Sequence, residues 1–461
     1  TVITTIEIDG EEQSSLDLEL GAFCNGELRG SGKLQYVGAP ANRYECFLMV
    51  YGNSGDNITF KLYDHATETV SDLKTNQSVT FEVNGAVGDV INPYTINFTS
   101  TIAHSQELKS GWNWYSTYVV NEGAEGLANL ENAVGTNGIQ IKNQSKFVNQ
   151  AGGNWYGTLT ETSVEDMFMI QLSSATNVTL EGYEVNPAEH PITLGTNWKW
   201  ISYPLSASIS VEEAFASANP SNGDYVKSQT GFAQYYDGLG WSGTLKTMTP
   251  GLGYMYQNVS GSAKTLVYPT VSMSKSVAAS SMAASEVELH WNPDVTLYPS
   301  NMTVIATVEI EGVEQATDNI EIGAFCGDEL RGSGRLQYTG APADRYLCFL
   351  MIRGNAGDVN TLKIYDHSTE TELDLETDIT ITFTPDGAEG GIIAPIVINF
   401  TAGESVQAVA NPVEGGTVEG TGSYQVGETA TLKAIENDGY VFLNWTEDGE
   451  VVSALSNFNF A

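Results

Sequence analysis

One stretch of about a hundred residues occurs twice in this chain, and whatever it folds into has to be a self-contained unit. Thr1–Ser100 aligns on Thr303–Ala402 at a fixed offset of 302 without a gap, and 59 of the 100 positions are identical. The signature is Gly21-Ala-Phe-Cys24, then Glu27-Leu-Arg-Gly-Ser-Gly32, then Leu34-Gln-Tyr36; it returns as Gly323–Cys326, Glu329–Gly334 and Leu336–Tyr338. Short alternating runs in each copy, broken by Asp9-Gly10, Asn25-Gly26 and Asn84-Gly85, read as about seven strands and hence a β-sandwich. Arg29-Gly-Ser-Gly32 has the wrong spacing for a phosphate loop, and no helix follows it. It reads instead as a strand with a glycine bulge.

Between the copies lies a second, shorter duplication. Gly111-Trp-Asn-Trp114 returns as Asn197-Trp-Lys-Trp200, Ile141-Lys-Asn-Gln144 as Val226-Lys-Ser-Gln229, and Trp155-Tyr-Gly-Thr-Leu159 as Trp241-Ser-Gly-Thr-Leu245. Each copy reads as a small β-module with one short helix, over 126–133 and 210–218. Ser210 is placed to cap the second, with Glu212 and Glu213 in its first turn.

The whole is therefore expected to be all-β: tandem β-sandwiches and small β-modules in an elongated multidomain rod. The expected divisions are 1–101 (first sandwich, lacking an opening segment), 102–188 and 189–270 (small modules), 271–285 (a Ser/Ala-rich linker), 286–403 (second sandwich) and 404–461 (a truncated fifth module). Residues 286–302, with His290-Trp-Asn-Pro293, read as the opening strand of the second sandwich. Without that counterpart the first sandwich should leave an unpaired sheet edge, open to self-association. The chain has the look of a fragment of something longer.

A net charge of −38, from 57 acidic against 19 basic side chains, excludes a nucleic-acid binder, which needs clustered cations. It fits a soluble exposed protein, or one that holds cations. Asp56 and Asp358, in the turns Asn53-Ser-Gly-Asp56 and Asn355-Ala-Gly-Asp358, are the calcium candidates, against a plain hairpin turn. No cofactor other than calcium is expected. No apolar run is long enough for a membrane span.

The four cysteines fall as Cys24 and Cys46, then Cys326 and Cys348, 22 residues apart in each sandwich. One pair per module suggests two disulfides and an oxidising compartment; two buried thiols per module is the alternative. Asp64-His65 and Asp366-His367 read as strand-end turns rather than as ligands or bases. With no GxSxG, HExxH or Cys–His set, no catalytic group is assigned and no enzymatic activity is expected.

The repeated tryptophans are the candidate recognition residues: Trp112, Trp114, Trp155, Trp198, Trp200 and Trp241. Within each Trp-x-Trp pair both rings face one side of the strand. On a solvent-facing sheet they would stack on sugar rings; otherwise they fill module cores.

Two resemblances add to this. Gly415-Gly-Thr-Val418, Gly427-Glu-Thr-Ala-Thr-Leu432 and Gly439-Tyr-Val-Phe-Leu-Asn-Trp445 resemble the strands of internalin-type B-repeats, which implies a small β-grasp-like or all-β spacer. The Gly-Ala-Phe-Cys…Glu-Leu-Arg-Gly and Gly-Trp-Asn-Trp…Pro250-Gly-Leu-Gly-Tyr254 modules resemble repeats of large secreted and surface proteins of the Bacteroidota, often exported by the type IX pathway. That resemblance implies an extracellular or cell-surface location and architecture rather than chemistry. The expected function is a non-catalytic adhesin or stalk whose partners are host or environmental glycans or surface proteins. The alternative is a set of carbohydrate-binding modules accessory to a glycan-degrading enzyme.

Overall fold

The computed structural model describes residues 1–75, 77–270, 288–341, 343–424 and 428–460. The expected linker 271–285 lies outside the described residues. The chain is an all-β multidomain protein, with α-helices at Gly123–Val134 and Val211–Phe215.

In the first sandwich, alternate residues of three strands point into one core: Leu18, Leu20 and Ala22; Ile58, Phe60 and Leu62; Ile96 and Phe98. That is period-two patterning converted into burial. The long strand Glu27–Val37 serves both halves of the sheet. Its start pairs with Leu18–Cys24 and its end with Arg43–Leu48. Where it crosses, a Cβ on Gly30 would lie 2.1 Å from the Met49 carbonyl oxygen and one on Gly32 2.3 Å from that of Phe47. Only glycine permits that approach. The register shifts opposite Ala22 and Phe23, leaving Arg29 as the bulged residue. The second sandwich repeats all of this, with the shift opposite Ala324 and Phe325.

Two expectations are corrected. Val2–Ile8 is flanked on one side by antiparallel Arg43–Leu48 and on the other by parallel Tyr94–Phe98, so the expected open edge is closed by the module's own residues. In the second sandwich the opening strand begins only at Asn301. Residues 288–300 form an irregular strap, in keeping with Pro293 and Pro299, which have no N–H to give to a ladder.

The disulfides are also corrected: all four cysteines are free. Cys24 pairs with Glu27 and Cys46 with Leu34, seven residues further along the same intervening strand. A disulfide needs its Cα atoms within about 7 Å. The Cys46 thiol instead donates to the Gly32 carbonyl at 2.8 Å, in the notch beside that glycine, and burial pushes it up to about 12. Cys348 stands likewise against Gly334.

Each small module carries a five-stranded antiparallel sheet. The first runs Gly111–Tyr115, Phe168–Leu172, Gly138–Lys142, Phe147–Ala151, Asn154–Gly157; the second runs Trp198–Ile201, Tyr254–Gln257, Tyr225–Lys227, Phe232–Tyr236, Gly240–Gly243. Helix Gly123–Val134 buries Leu127, Leu130 and Val134 against its sheet. The second helix starts as its sequence indicates, with the Ser210 hydroxyl accepting the Glu213 N–H at 3.1 Å.

Peptide mapping of the protein without reductant should therefore show four alkylatable thiols. Cys46 and Cys348 should react only after unfolding, because burial disfavours their thiolates. A peptide linking Cys24 to Cys46 would contradict this arrangement.

Candidate functional site

The paired tryptophans meet in a seam between the two small modules. Trp112, Trp114 and Trp200 pack with Met167, Met169 and Met255 in one buried cluster, with Trp198 partly buried at its rim. Trp155 and Trp241 lie partly buried in the cores of their own modules. Of the two readings open for these six residues, stacking on sugars or filling module cores, the burial of Trp112, Trp114 and Trp200 and the partial burial of Trp155, Trp198 and Trp241 correspond to packing inside and between modules. Each Trp-x-Trp pair does turn one face of its strand to the cluster, and that face is covered by the sister module.

The seam's polar contacts are exchanged symmetrically, as the duplication requires. Gln229 donates to the Trp112 carbonyl at 2.7 Å and accepts the Trp114 N–H at 3.2 Å. Its counterpart Gln144 donates to the Trp198 carbonyl at 2.7 Å and accepts the Trp200 N–H at 3.1 Å. A side-chain amide matches a strand edge here because it offers both a donor and an acceptor. The ammonium groups of the equivalent lysines lie over the rings: Lys142 is 4.7 Å from the Trp112 centroid and Lys227 4.6 Å from that of Trp198.

The second sandwich is built into the same joint. Gln229 also donates to Val295, Trp112 N–H to Thr296 and Trp114 Nε1 to Pro299, so the strap is stitched to both modules. Gly111 leaves room for it: a Cβ there would fall 2.5 Å from the Thr296 carbonyl oxygen. Arg353 Nη2 donates to the Gln229 carbonyl at 2.7 Å. A further shared core joins Tyr225, Phe232 and Tyr236 to Ile305, Leu347, Phe349, Met351 and Ile392.

Lys227 and His104 are buried ionisable groups in these joints. Lys227 is 1 % exposed; burial pulls its ammonium below the ordinary lysine range, opposed by Asp386 at 3.0 Å. His104 is buried against Thr117, Tyr118 and Tyr115, close to Gly251 of the sister module, and burial pulls its imidazole down to about 4.

The calcium candidates are engaged elsewhere. Asp358 caps its own turn through Asn355 N–H at 2.9 Å and meets Arg331 at 3.0 Å; Asp56 caps through Asn53, with Arg29 at 4.0 Å. A guanidinium supplies the positive charge that a cation would bring. Asp64 and Asp366 accept N–H groups within their turns, while His65 and His367 pair with Glu19 and Glu321. One group was missed by sequence reasoning. His190 lies 2.9 Å from Glu165 and 3.8 Å from Glu122, residues too scattered in the chain to suggest a set. It ties the connection between the modules to the start of helix Gly123–Val134.

The class so defined is an all-β repeat protein whose duplicated modules are joined by shared cores. Residues 406–461 match the divergent InlB B-repeat domain family, a kind typical of surface proteins. No curated protein and no solved structure matches the chain. Among the described residues no helix is long and apolar enough to cross a membrane.

Three outcomes are expected. Gln229→Ala removes bonds to two neighbours at once and should cost about 1–3 kcal/mol by urea unfolding. Lys227→Ala leaves Asp386 and the Asn301 carbonyl without their cation and should cost about 3–5 kcal/mol, with Lys227→Met milder. For His104 the folded state holds the imidazole neutral, while the unfolded chain takes up a proton near its ordinary value of 6.5. Its stabilisation is therefore complete above that pH and is lost as pH falls from 6.5 towards 4. The melting temperature of His104→Gln should fall less over this window than that of the parent.

Proposed function

We propose that the chain is a non-catalytic extracellular spacer of a bacterial surface protein, a shaft that sets the reach and orientation of whatever it carries. The observation that carries this reading is the fate of the repeated tryptophans. They are spent on joining module to module through Trp112, Trp114 and Trp200, and leave little ring surface for a ligand. The B-repeat domain at residues 406–461 supports the location. A net charge of −38 suits a shaft that must stay soluble and unassociated along its length. Export in the manner of large Bacteroidota surface proteins is part of the same proposal.

A glycan array probed with the chain, with and without EDTA, tests the reading against the carbohydrate-binding alternative. Silence in both conditions is the expected result. Saturable binding that is lost in Trp198→Ala, whose ring is partly exposed, would overturn it.

A further inference from the structure

The backbone brings three metal-ligating side chains together at the start of helix Gly123–Val134. Gly123 and Thr162 exchange both backbone hydrogen bonds, at 2.9 and 3.0 Å, so Glu122 and the turn at 163–166 lie side by side. The connection to the sister module leaves past Val120, whose N–H donates to the Tyr183 carbonyl at 2.8 Å, and brings the half-buried His190 to the same corner. Nδ1 of His190 faces one oxygen of Glu165 at 2.9 Å and one of Glu122 at 3.8 Å. The three atoms all lie within 4.8 Å of one another.

The charge of this group is not balanced as it is elsewhere in the chain. Among the described residues Glu122 and Glu165 form ion pairs with His190 alone, whereas Asp56 and Asp358 each meet an arginine. Glu122 stands at the N-cap position, yet its side chain makes no bond to the helix. Its carboxylate is turned towards the imidazole and accepts the Val164 N–H only at 3.4 Å. The sister module has Ser210 at the same cap, where the hydroxyl does bond the helix, and Gly251 in the place of Glu165. The same kind of module is thus built without either carboxylate, so the set is not a requirement of its fold. The 3.8 Å separation is too long for a hydrogen bond but suits two ligands of one ion. Metal–ligand bonds of about 2.1 Å at tetrahedral angles put neighbouring ligand atoms about 3.4 Å apart.

We propose that Glu122, Glu165 and His190 bind a divalent transition-metal ion of the zinc class, which clips the connection between the small modules to the first helix. The neutral imidazole gives its Nδ1 lone pair, each glutamate gives one oxygen, and the exposed side of Glu122 leaves the fourth position to water. The ion supplies the positive charge that no Lys or Arg brings. Calcium suits the set poorly, because it takes roughly six to eight oxygen ligands and one of the three donors here is a nitrogen. The site stands independently of the spacer reading.

The test uses the full chain, stripped with EDTA and dialysed, and zinc chloride as the probe. Titration calorimetry should show one saturable site per chain, weakened at least tenfold in Glu122→Gln and in His190→Gln, with calcium at least tenfold weaker than zinc. In side-chain NMR spectra zinc should shift one of the five imidazole signals, the one that His190→Gln removes. Glu122→Gln alters an exposed side chain that caps nothing, so without metal its melting temperature should match the parent's. With zinc the parent's should rise and the variant's should not, which separates loss of the site from misfolding. No saturable binding up to millimolar zinc would overturn the proposal. So would several weak ions per chain indifferent to both variants, as scattered surface carboxylates give, or calcium binding as tightly as zinc.

Discussion

The structure depends on one loop, Ser228–Gln229–Thr230, and above all on the Gln229 side chain. Its amide reaches the tryptophan strand of the preceding module and the strap, while its backbone carbonyl is held by Arg353 of the second sandwich. Three parts of the chain converge on a single residue. A side-chain amide suits the position because it satisfies a strand-edge carbonyl and N–H together, which neither a carboxylate nor an ammonium can do. Apolar surface flanks these part-buried bonds, with Trp112, Trp114, Trp200 and three methionines on one side and the Phe232–Phe349 core on the other. Modules that could have been beads on a string are thereby coupled over residues 102–402.

The two sandwiches differ in part on the face where a neighbouring module docks. Of the positions in the second copy that face the second small module, Phe349 and Met351 match Phe47 and Met49 of the first, but Leu347 and Arg353 replace Glu45 and Tyr51. The fold-determining residues, such as the glycines at the strand crossing and the core-facing alternations, are retained instead.

Much of this could be read from the residues. The duplications, the bulge beside Gly30, the Ser210 cap and the shared face of each Trp-x-Trp pair all follow from local rules of spacing and pleat. What covers that face was not legible, because alternation states which side is apolar and not whether water or another module lies against it. The cysteines misled for a similar reason. Equal spacing in sequence reflects duplication of a whole sandwich, whereas bonding depends on strand order, and Glu27–Val37 intervenes between the two. The strap was mistaken for a strand because its Val and Leu residues suit one; Pro293 and Pro299 were the contrary signal. The His190, Glu165 and Glu122 group left no trace in sequence.

The central claim is that residues 102–402 behave as one cooperative body. Native-state hydrogen exchange in rising urea tests it most directly, by following amides in Gly111–Tyr115, Tyr225–Lys227 and Asn301–Ile310. Coupling through the Gln229 joint predicts that the slowest amides of all three strands converge on one opening free energy and one urea dependence. Three separate isotherms, each with a slope suited to a single module, would show beads on a string and contradict the account.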